Sequence, residues 1–151
     1  MIFQIDESTP YPTFPDPRSG DEDGLFAVGG DLSIDRLLLA YCHGIFPWYS
    51  FRDQPDILWY CPMQRFVIFP EEIHVSHSMR TLINKDQYSY SINEAFDDVI
   101  AQCSKLRIEQ DGAWLGDDMI KAYTELHRQG FASSVEVWDD CLLYTSDAAD
   151  E

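Results

Sequence analysis

The sequence predicts a mixed α/β protein of the α+β type, forming one ordinary domain or two small ones. The chain has 151 residues, of which 45% are hydrophobic and 25% charged, as in globular proteins. Segments with helical periodicity alternate with short strand-like runs along the chain. All eight prolines lie at or before Pro70, which favours turn-rich structure first and regular elements afterwards. We therefore predict an N-terminal domain over residues 1–65 and a second domain over residues 66–140.

The charge balance restricts the partners. The 27 acidic and 10 basic residues give a net charge of −17, whereas phosphate-dominated binding requires clustered Lys and Arg. Composition thus argues against duplex DNA and membrane surfaces as partners. No apolar run approaches the ~20 residues of a membrane span, and no signal-peptide pattern follows Met1, so we expect a cytoplasmic protein. Without a CxxC pair, the four cysteines are expected to be reduced.

The first part contains one clear helix signal. Ser33 can cap a helix over residues 34–43, and Gly44 stands just past its end. Before it, an apolar run from Gly24 ends in a turn at Gly29-Gly30-Asp31. Two strands are predicted after it, at Ile57–Tyr60 and Arg65–Phe69.

The second part alternates helices and strands. Ser76 can cap a helix through Asn84, Tyr88–Ile92 is a predicted strand, and Asn93 can cap the next helix. That helix would have one apolar face, formed by Ala95, Phe96, Val99, Ile100 and Cys103.

Two further elements follow. A helix is predicted over residues 118–129, with Gly130 as its stop. The strand predicted over Phe131–Trp138 would bury one face, carrying Val135 and Val137.

The residue patterns alone reveal no active site. Gly29-Gly30-Asp31 before a helix allows a phosphate loop, but no Walker lysine follows, and a plain turn is the favoured interpretation. The histidines are scattered, and the paired acids are adjacent in sequence, so they point apart. No nucleophile motif occurs.

Aromatic residues are the unusual feature. Tyr41, the run Phe46-Pro47-Trp48-Tyr49, the pair Trp59-Tyr60 and Trp114 suit a core, but a Pro-Trp-Tyr run after a helix stop belongs to a loop. Exposed rings in such a loop can stack on unpaired RNA bases, a contact that an acidic protein tolerates.

Several short motifs follow one another in a fixed order and spacing over residues 20–140. They are Gly29-Gly30-Asp31-Leu32-Ser33, Arg36-Leu37-Leu38, Ala40-Tyr41, Gly44-Ile45-Phe46-Pro47-Trp48-Tyr49, Ile57-Leu58-Trp59-Tyr60, His74-Val75-Ser76, Ser78-Met79, Trp114-Leu115, Ala122-Tyr123, Leu126-His127 and Val135-Glu136-Val137-Trp138. This series resembles the bacterial leucyl/phenylalanyl-tRNA–protein transferases.

The resemblance implies an aminoacyltransferase that moves Leu or Phe from aminoacyl-tRNA to the N-terminal Arg or Lys of a protein, marking that protein for degradation. It implies a small N-terminal domain followed by a transferase domain similar to the GNAT superfamily, with no metal or other cofactor. The acidic surface suits a protein substrate that begins with a cation.

The resemblance also implies site residues. Trp48 and Trp114 match tryptophans beside the terminal adenosine of the tRNA, and Tyr41 lies in the same block. On the helix after Ser76, only Arg80 and Lys85 remain of the basic cluster that contacts the tRNA body. The catalytic Glu, Asp and Gln of the family lie in sequence for which this chain has no counterpart, so no catalytic residue is assigned and the chain is expected to be inactive.

The end of the chain has a different interpretation. Residues 141–151 read as the in-frame translation of a transposase adapter used in DNA sequencing libraries. The strand at Phe131–Trp138 would then lack its neighbours and stay unprotected from hydrogen exchange.

Two other functions stay open for the chain. One is a non-catalytic module that binds the adenosine at an RNA 3′ end. The other, an acyl-CoA-dependent acetyltransferase, is weaker because no glycine-rich pyrophosphate loop is present.

Overall fold

The computed structural model describes residues 2–6, 12–48, 56–109 and 115–144, with side chains in the third range described through residue 105. The helices described are α1 (Ile34–Cys42), α2 (His77–Asn84), α3 (Phe96–Glu109) and α4 (Asp117–Arg128). The strands described are β1 (Phe3–Ile5), β2 (Leu25–Gly29), β3 (Phe46–Trp48), β4 (Leu58–Tyr60), β5 (Tyr88–Ile92), β6 (Val135–Asp139) and β7 (Leu142–Leu143). The predicted mixed α+β class is confirmed.

The first sheet has the strand order β1-β2-β4-β3. β1 runs parallel to β2, and the other pairs are antiparallel. Side chains alternate across a strand, so Ala27 and Trp59 lie on the buried face, where α1 adds Leu37 and Ala40. The Trp59 indole donates a 2.8 Å hydrogen bond to the Gly29 carbonyl, which satisfies its buried polar atom.

The cap of α1 differs from the prediction although the helix itself is confirmed. The Ser33 side chain makes no capping bond. Instead, the Asp31 carboxylate accepts the Ser33 N–H at 2.8 Å. Gly44 has a φ of +70°, the left-handed conformation that glycine adopts most readily after a helix.

The second sheet has the order β5-β6-β7 and is antiparallel throughout. β6 is therefore the central strand, and the expectation that it lacks neighbours is wrong. The helix predicted after Ser76 is confirmed as α2, which ends at Asn84. The predicted cap is present as well, since the Ser76 hydroxyl accepts the Met79 N–H at 3.2 Å.

The burial of β6 is opposite to the prediction. Val135 is 67% exposed, while Glu136 between the two valines is only 1% exposed. Hydrophobicity alone selected the wrong face, because Glu136 finds enough hydrogen-bond donors to be buried. Asn93 does not cap α3 either, since its side-chain oxygen accepts the Ser134 N–H at 2.9 Å.

The predicted strand at Arg65–Phe69 is absent. Phe66 is 98% exposed, and residues 65–69 belong to none of the described sheets. The Arg65 guanidinium donates to the carbonyls of Gly44 and Pro62, which ties the start of this stretch to the turn after α1. A short apolar run forms a strand only where another strand can pair with it.

α4 connects the two parts of the molecule. Its Leu126 joins the core of the first sheet, while its Met119 packs with Ile100 and Leu115 in a second cluster against α3. The predicted helix at 118–129 is confirmed as Asp117–Arg128. Within the described residues, no helix has the length and apolar character to cross a membrane.

Candidate functional site: an exposed aromatic surface

Trp48 lies at the end of β3 on the face of the first sheet that points away from the core. It pairs with Leu58 in the register, two residues beyond the pair Phe46–Tyr60. Trp48 is 43% exposed, whereas Pro47 beside it is buried. The Phe46 and Tyr60 rings stack with centroids 6.0 Å apart and an 18° angle between their planes. The strand alternation therefore produces the exposed aromatic residue that the sequence indicated.

Tyr41 lies on α1, where it is partly exposed to solvent and also contacts α4. Its ring meets the Tyr123 ring edge-on, with centroids 6.5 Å apart, and the two hydroxyls are hydrogen-bonded. Burial raises the pKa of the Tyr41 hydroxyl and, more strongly, that of Tyr123. Both groups are neutral at physiological pH, and the pair fixes α1 against α4. The Ala122-Tyr123 motif was noted in the sequence, but nothing local to it indicated this partner.

Trp114, the second tryptophan assigned from the sequence, lies outside the described residues. Its neighbour Leu115 is buried and accepts a 2.9 Å hydrogen bond from the Ser104 hydroxyl.

A buried arginine lies on the helix that carries Tyr41. Arg36 is 1% exposed, and its guanidinium forms an ion pair of 3.3 Å with Asp31. It also lies 6.0 Å from the Phe14 ring, while its Nε and Nη1 have no hydrogen-bond partner. Gly30 has a φ of +76°, and a Cβ there would come within 3.3 Å of the guanidinium. The Gly29-Gly30-Asp31 segment is thus a structural turn, and no sequence pattern predicted the burial of Arg36.

Arg80 and Lys85 lie on or beside α2, and both are exposed. Arg80 belongs to the helix, and Lys85 is the residue that ends it. Both positive charges are accessible to a polyanion, but two charges can contact only a few phosphates.

In the sequence, Glu136 was noted only as part of the motif Val135-Glu136-Val137-Trp138, and no role was predicted for it. Its buried carboxylate accepts hydrogen bonds from the Ser134 hydroxyl, from the Ser91 hydroxyl at 2.6 Å and from the Ala95 N–H at 3.3 Å. The Trp138 indole donates in turn to Ser91 at 2.8 Å. The bonds from Ser134 and Ser91 lower the pKa of Glu136 below its usual value. This carboxylate joins β5, β6 and the start of α3.

Among the described residues, no group of three or more His, Cys, Asp or Glu side chains is arranged to hold a metal ion. The four cysteines are free thiols, and only Cys61 is buried.

Two sequence profiles match the chain. The one described as leucyl/phenylalanyl-tRNA protein transferase N-terminal domain matches residues 30–63, and the one described as leucyl/phenylalanyl-tRNA protein transferase matches residues 67–146. The second match therefore continues into the segment 141–151.

Curated proteins named leucyl/phenylalanyl-tRNA–protein transferase are similar over most of the chain. The Pseudomonas fluorescens protein is 51% identical over 130 residues, covering 85% of this chain and 57% of its own length. The Psychromonas ingrahamii protein is 50% identical, with 86% of this chain and 55% of its own length covered. The Flavobacterium johnsoniae protein is 47% identical, with 86% and 61% covered.

The chain spans between 55% and 61% of the length of these three relatives. The two profile matches together span Tyr41, Trp48, Tyr60 and Tyr123, whose geometry is described above. The chain belongs to the leucyl/phenylalanyl-tRNA–protein transferase family.

Proposed function

We propose that the protein to which this chain belongs transfers Leu or Phe from aminoacyl-tRNA to the N-terminal Arg or Lys of a protein, marking it for degradation. The chain belongs to the family, and the observation that supports the proposal is the exposed ring of Trp48 at the end of β3. A base stacks readily on such a ring, and stacking requires no strong positive charge.

The reaction is an exchange of an ester for an amide. The α-amine of the acceptor attacks the ester carbonyl of the donor, and a C–N bond forms. The C–O bond to the terminal ribose then breaks, and the released tRNA hydroxyl receives the proton that the amine loses. Both reacting ends must therefore be held side by side.

We assign Trp48, Trp114 and Tyr41 to the terminal adenosine of the donor, and Arg80 with Lys85 to the tRNA body. The exposure of Trp48, Arg80 and Lys85 supports this assignment. The Tyr41–Tyr123 hydrogen bond supports a fixed position for Tyr41.

The division into a domain of residues 1–65 and an incomplete GNAT-like domain of residues 66–140 is also a proposal. The interval between the two profile matches supports it. We further propose a cytoplasmic location, where charged tRNA is available, and no membrane or DNA partner.

A transfer assay tests the function. Residues 1–140 are fused to the part of the Pseudomonas fluorescens relative that follows its matched region, and the fusion is incubated with leucyl-tRNA and an Arg-initiated peptide. We expect Leu transfer by the fusion and none by the 151-residue chain, which lacks the catalytic residues implied by the resemblance. A fusion that is folded but inactive would contradict the proposal.

The second candidate is a module that binds an RNA 3′-terminal adenosine without catalysis. The same Trp48 ring favours it for the 151-residue chain taken alone. Binding of a CCA-ended oligonucleotide by a fusion that transfers no Leu would support it. Acetyl transfer with acetyl-CoA as the only donor would instead support an acetyltransferase.

The adapter origin of residues 141–151 stands as a separate proposal, supported by the match of these residues to the translated adapter. The profile match through residue 146 and the pairing of β7 with β6 are observations against it. Sequencing genomic DNA downstream of the codon for Asp140 decides between them.

A further inference from the structure

Arg65 lies beside the stacked rings of Phe46 and Tyr60, on the outer face of the first sheet. Its guanidinium carbon is 5.9 Å from the centre of the Phe46 ring. Phe46 and Trp48 point to the same face of β3, because side chains alternate along a strand and Pro47 between them is buried. Residues two apart in a strand are separated by about 7 Å, so the guanidinium flanks the surface on which the Trp48 ring is exposed.

The Arg65 guanidinium is anchored although its side chain is exposed. Its Nε–H donates to the Pro62 carbonyl at 3.2 Å, and its Nη2 donates to the Gly44 carbonyl. The same Nη2 lies 3.6 Å from the sulfur of the buried Cys61. An arginine that is already anchored loses less side-chain freedom when it binds a ligand than a mobile one does.

The bonds that anchor Arg65 use Nε and Nη2 and leave the other terminal nitrogen, Nη1. Within the described ranges, Nη1 donates no hydrogen bond, and no carboxylate lies within ion-pair distance of Arg65. A guanidinium with free N–H groups binds the oxygen atoms of carboxylates and phosphates. Because the net charge of the chain is −17, a local cation of this kind is needed to attract a phosphate to this surface.

We propose that Arg65 binds the phosphate that joins the terminal adenosine of the donor to the preceding nucleotide. The inference rests on the proposed function and adds a backbone contact to the stacking contact of Trp48. In a nucleotide, one ribose separates the base from the 5′-phosphate. A base stacked on Trp48 therefore brings its phosphate within reach of a cation on the same surface. Proteins that bind single strands combine ring stacking with positive charge along the backbone in this way.

The test compares two CCA trinucleotides, one with phosphodiester linkages and one with uncharged methylphosphonate linkages. Both carry the same fluorophore at the 5′ end, and binding to the 151-residue chain is measured by fluorescence anisotropy. We expect the charged trinucleotide to bind about threefold more tightly, the effect of one exposed ion pair. R65Q should abolish this preference and leave the affinity for the uncharged trinucleotide unchanged. It should also reduce the magnitude of the salt slope of the charged trinucleotide by about 0.7, the value for one phosphate of a single strand.

A purely structural role of Arg65 predicts a different result. If Arg65 only held β3 in place, R65Q would weaken both trinucleotides by the same factor, because both would stack on Trp48. R18Q is the matched control, since Arg18 is an exposed arginine whose carboxylate partner, Asp16, lies 2.6 Å away. It should keep the wild-type preference for the charged trinucleotide.

The phosphate contact is refuted if the wild type binds the two trinucleotides equally, if R65Q weakens both alike, or if R18Q lowers the preference as much as R65Q. Failure of the chain to bind either trinucleotide would also overturn it. Leu transfer by the fusion, together with equal binding of the two trinucleotides, would reject the Arg65 contact and leave the proposed function intact.

Discussion

Glu136 connects three elements through one buried carboxylate, and its bonds require the ionised form. Since hydrogen bonds lower its pKa in the folded state, the group stabilises the fold above its unfolded pKa of 4.5. That contribution decreases as the pH falls below this value and is lost once the folded-state pKa is passed. We expect E136Q to lower the free energy of unfolding at neutral pH and to reduce the acid sensitivity of the protein.

The measurement is urea unfolding of wild type and E136Q from about pH 7 to about pH 3. The stability difference between them should shrink as the pH falls. E94Q is the control, because Glu94 is exposed and adjacent to the same helix start. If the difference in free energy of unfolding between wild type and E136Q stays constant across this pH range, the charge of Glu136 does not contribute to stability.

Trp48 allows a second prediction at the residue scale. Replacing it with Ala should weaken donor binding by about 1–3 kcal/mol, the contribution of one base stacked on an aromatic ring. The measurement is the affinity of the fusion for a non-hydrolysable aminoacyl-adenosine donor analogue. Tyr90→Ala is the control, since Tyr90 is 79% exposed on β5, outside the proposed site. Equal affinities for wild type and W48A would favour a packing role for the tryptophan.

At the scale of elements, α2 determines how the tRNA body is held. It presents Arg80 and is followed by Lys85, so donor binding should release few counterions. We expect the logarithm of affinity to fall gently with the logarithm of salt between about 50 mM and 200 mM. Removing both charges should reduce the magnitude of the slope by about 1–2.

The control replaces Lys121, an exposed lysine on α4, which should leave the slope unchanged. A steep slope for the wild type would show that further basic groups contact the phosphates.

Helices were predictable where their end signals were local. Asp31, Ser33 and Gly44 stand within the sequence around α1, and Ser76 stands directly before α2. Strand burial was less predictable, because it depends on distant partners. The burial of Glu136 requires Ser91, which lies 45 residues earlier in the sequence.

The candidate site shows the same limit. The sequence predicted an exposed Trp48 by placing it in a loop, but Trp48 lies in β3 and is exposed by strand alternation instead. The hydrogen bond between Tyr41 and Tyr123 joins residues 82 positions apart. No periodicity or motif spacing relates two such positions.

At the scale of the molecule, the second sheet leaves an apolar groove open. The groove has a volume of about 650 Å³ between α2, β5 and β6. Its lining is formed by Met79, Leu82, Ile83, Asp86, Tyr88, Ser89, Tyr90, Val137 and Tyr144. Residues 66–69, which are not part of its lining, also have exposed apolar side chains. Surfaces of this extent are normally covered by other parts of a protein or by a partner.

The last prediction concerns this exposed surface. The 151-residue chain should bind a dye specific for apolar surfaces, and the fusion with the rest of the Pseudomonas fluorescens relative should bind it less. The physical reason is that the match covers only 57% of the length of that relative, so its remaining sequence is available to cover such a surface in the fusion. Hydrogen exchange should nevertheless protect the amides of β6 in the 151-residue chain, because β5 and β7 pair with its two edges. In the 151-residue chain, Val137→Ser and Ile83→Ser in the groove should reduce dye binding, while Ile2→Ser, at an exposed residue before β1, should not. Undiminished dye binding by the fusion would show that its added sequence does not cover the groove, and rapid exchange throughout β6 would contradict its central place in the sheet.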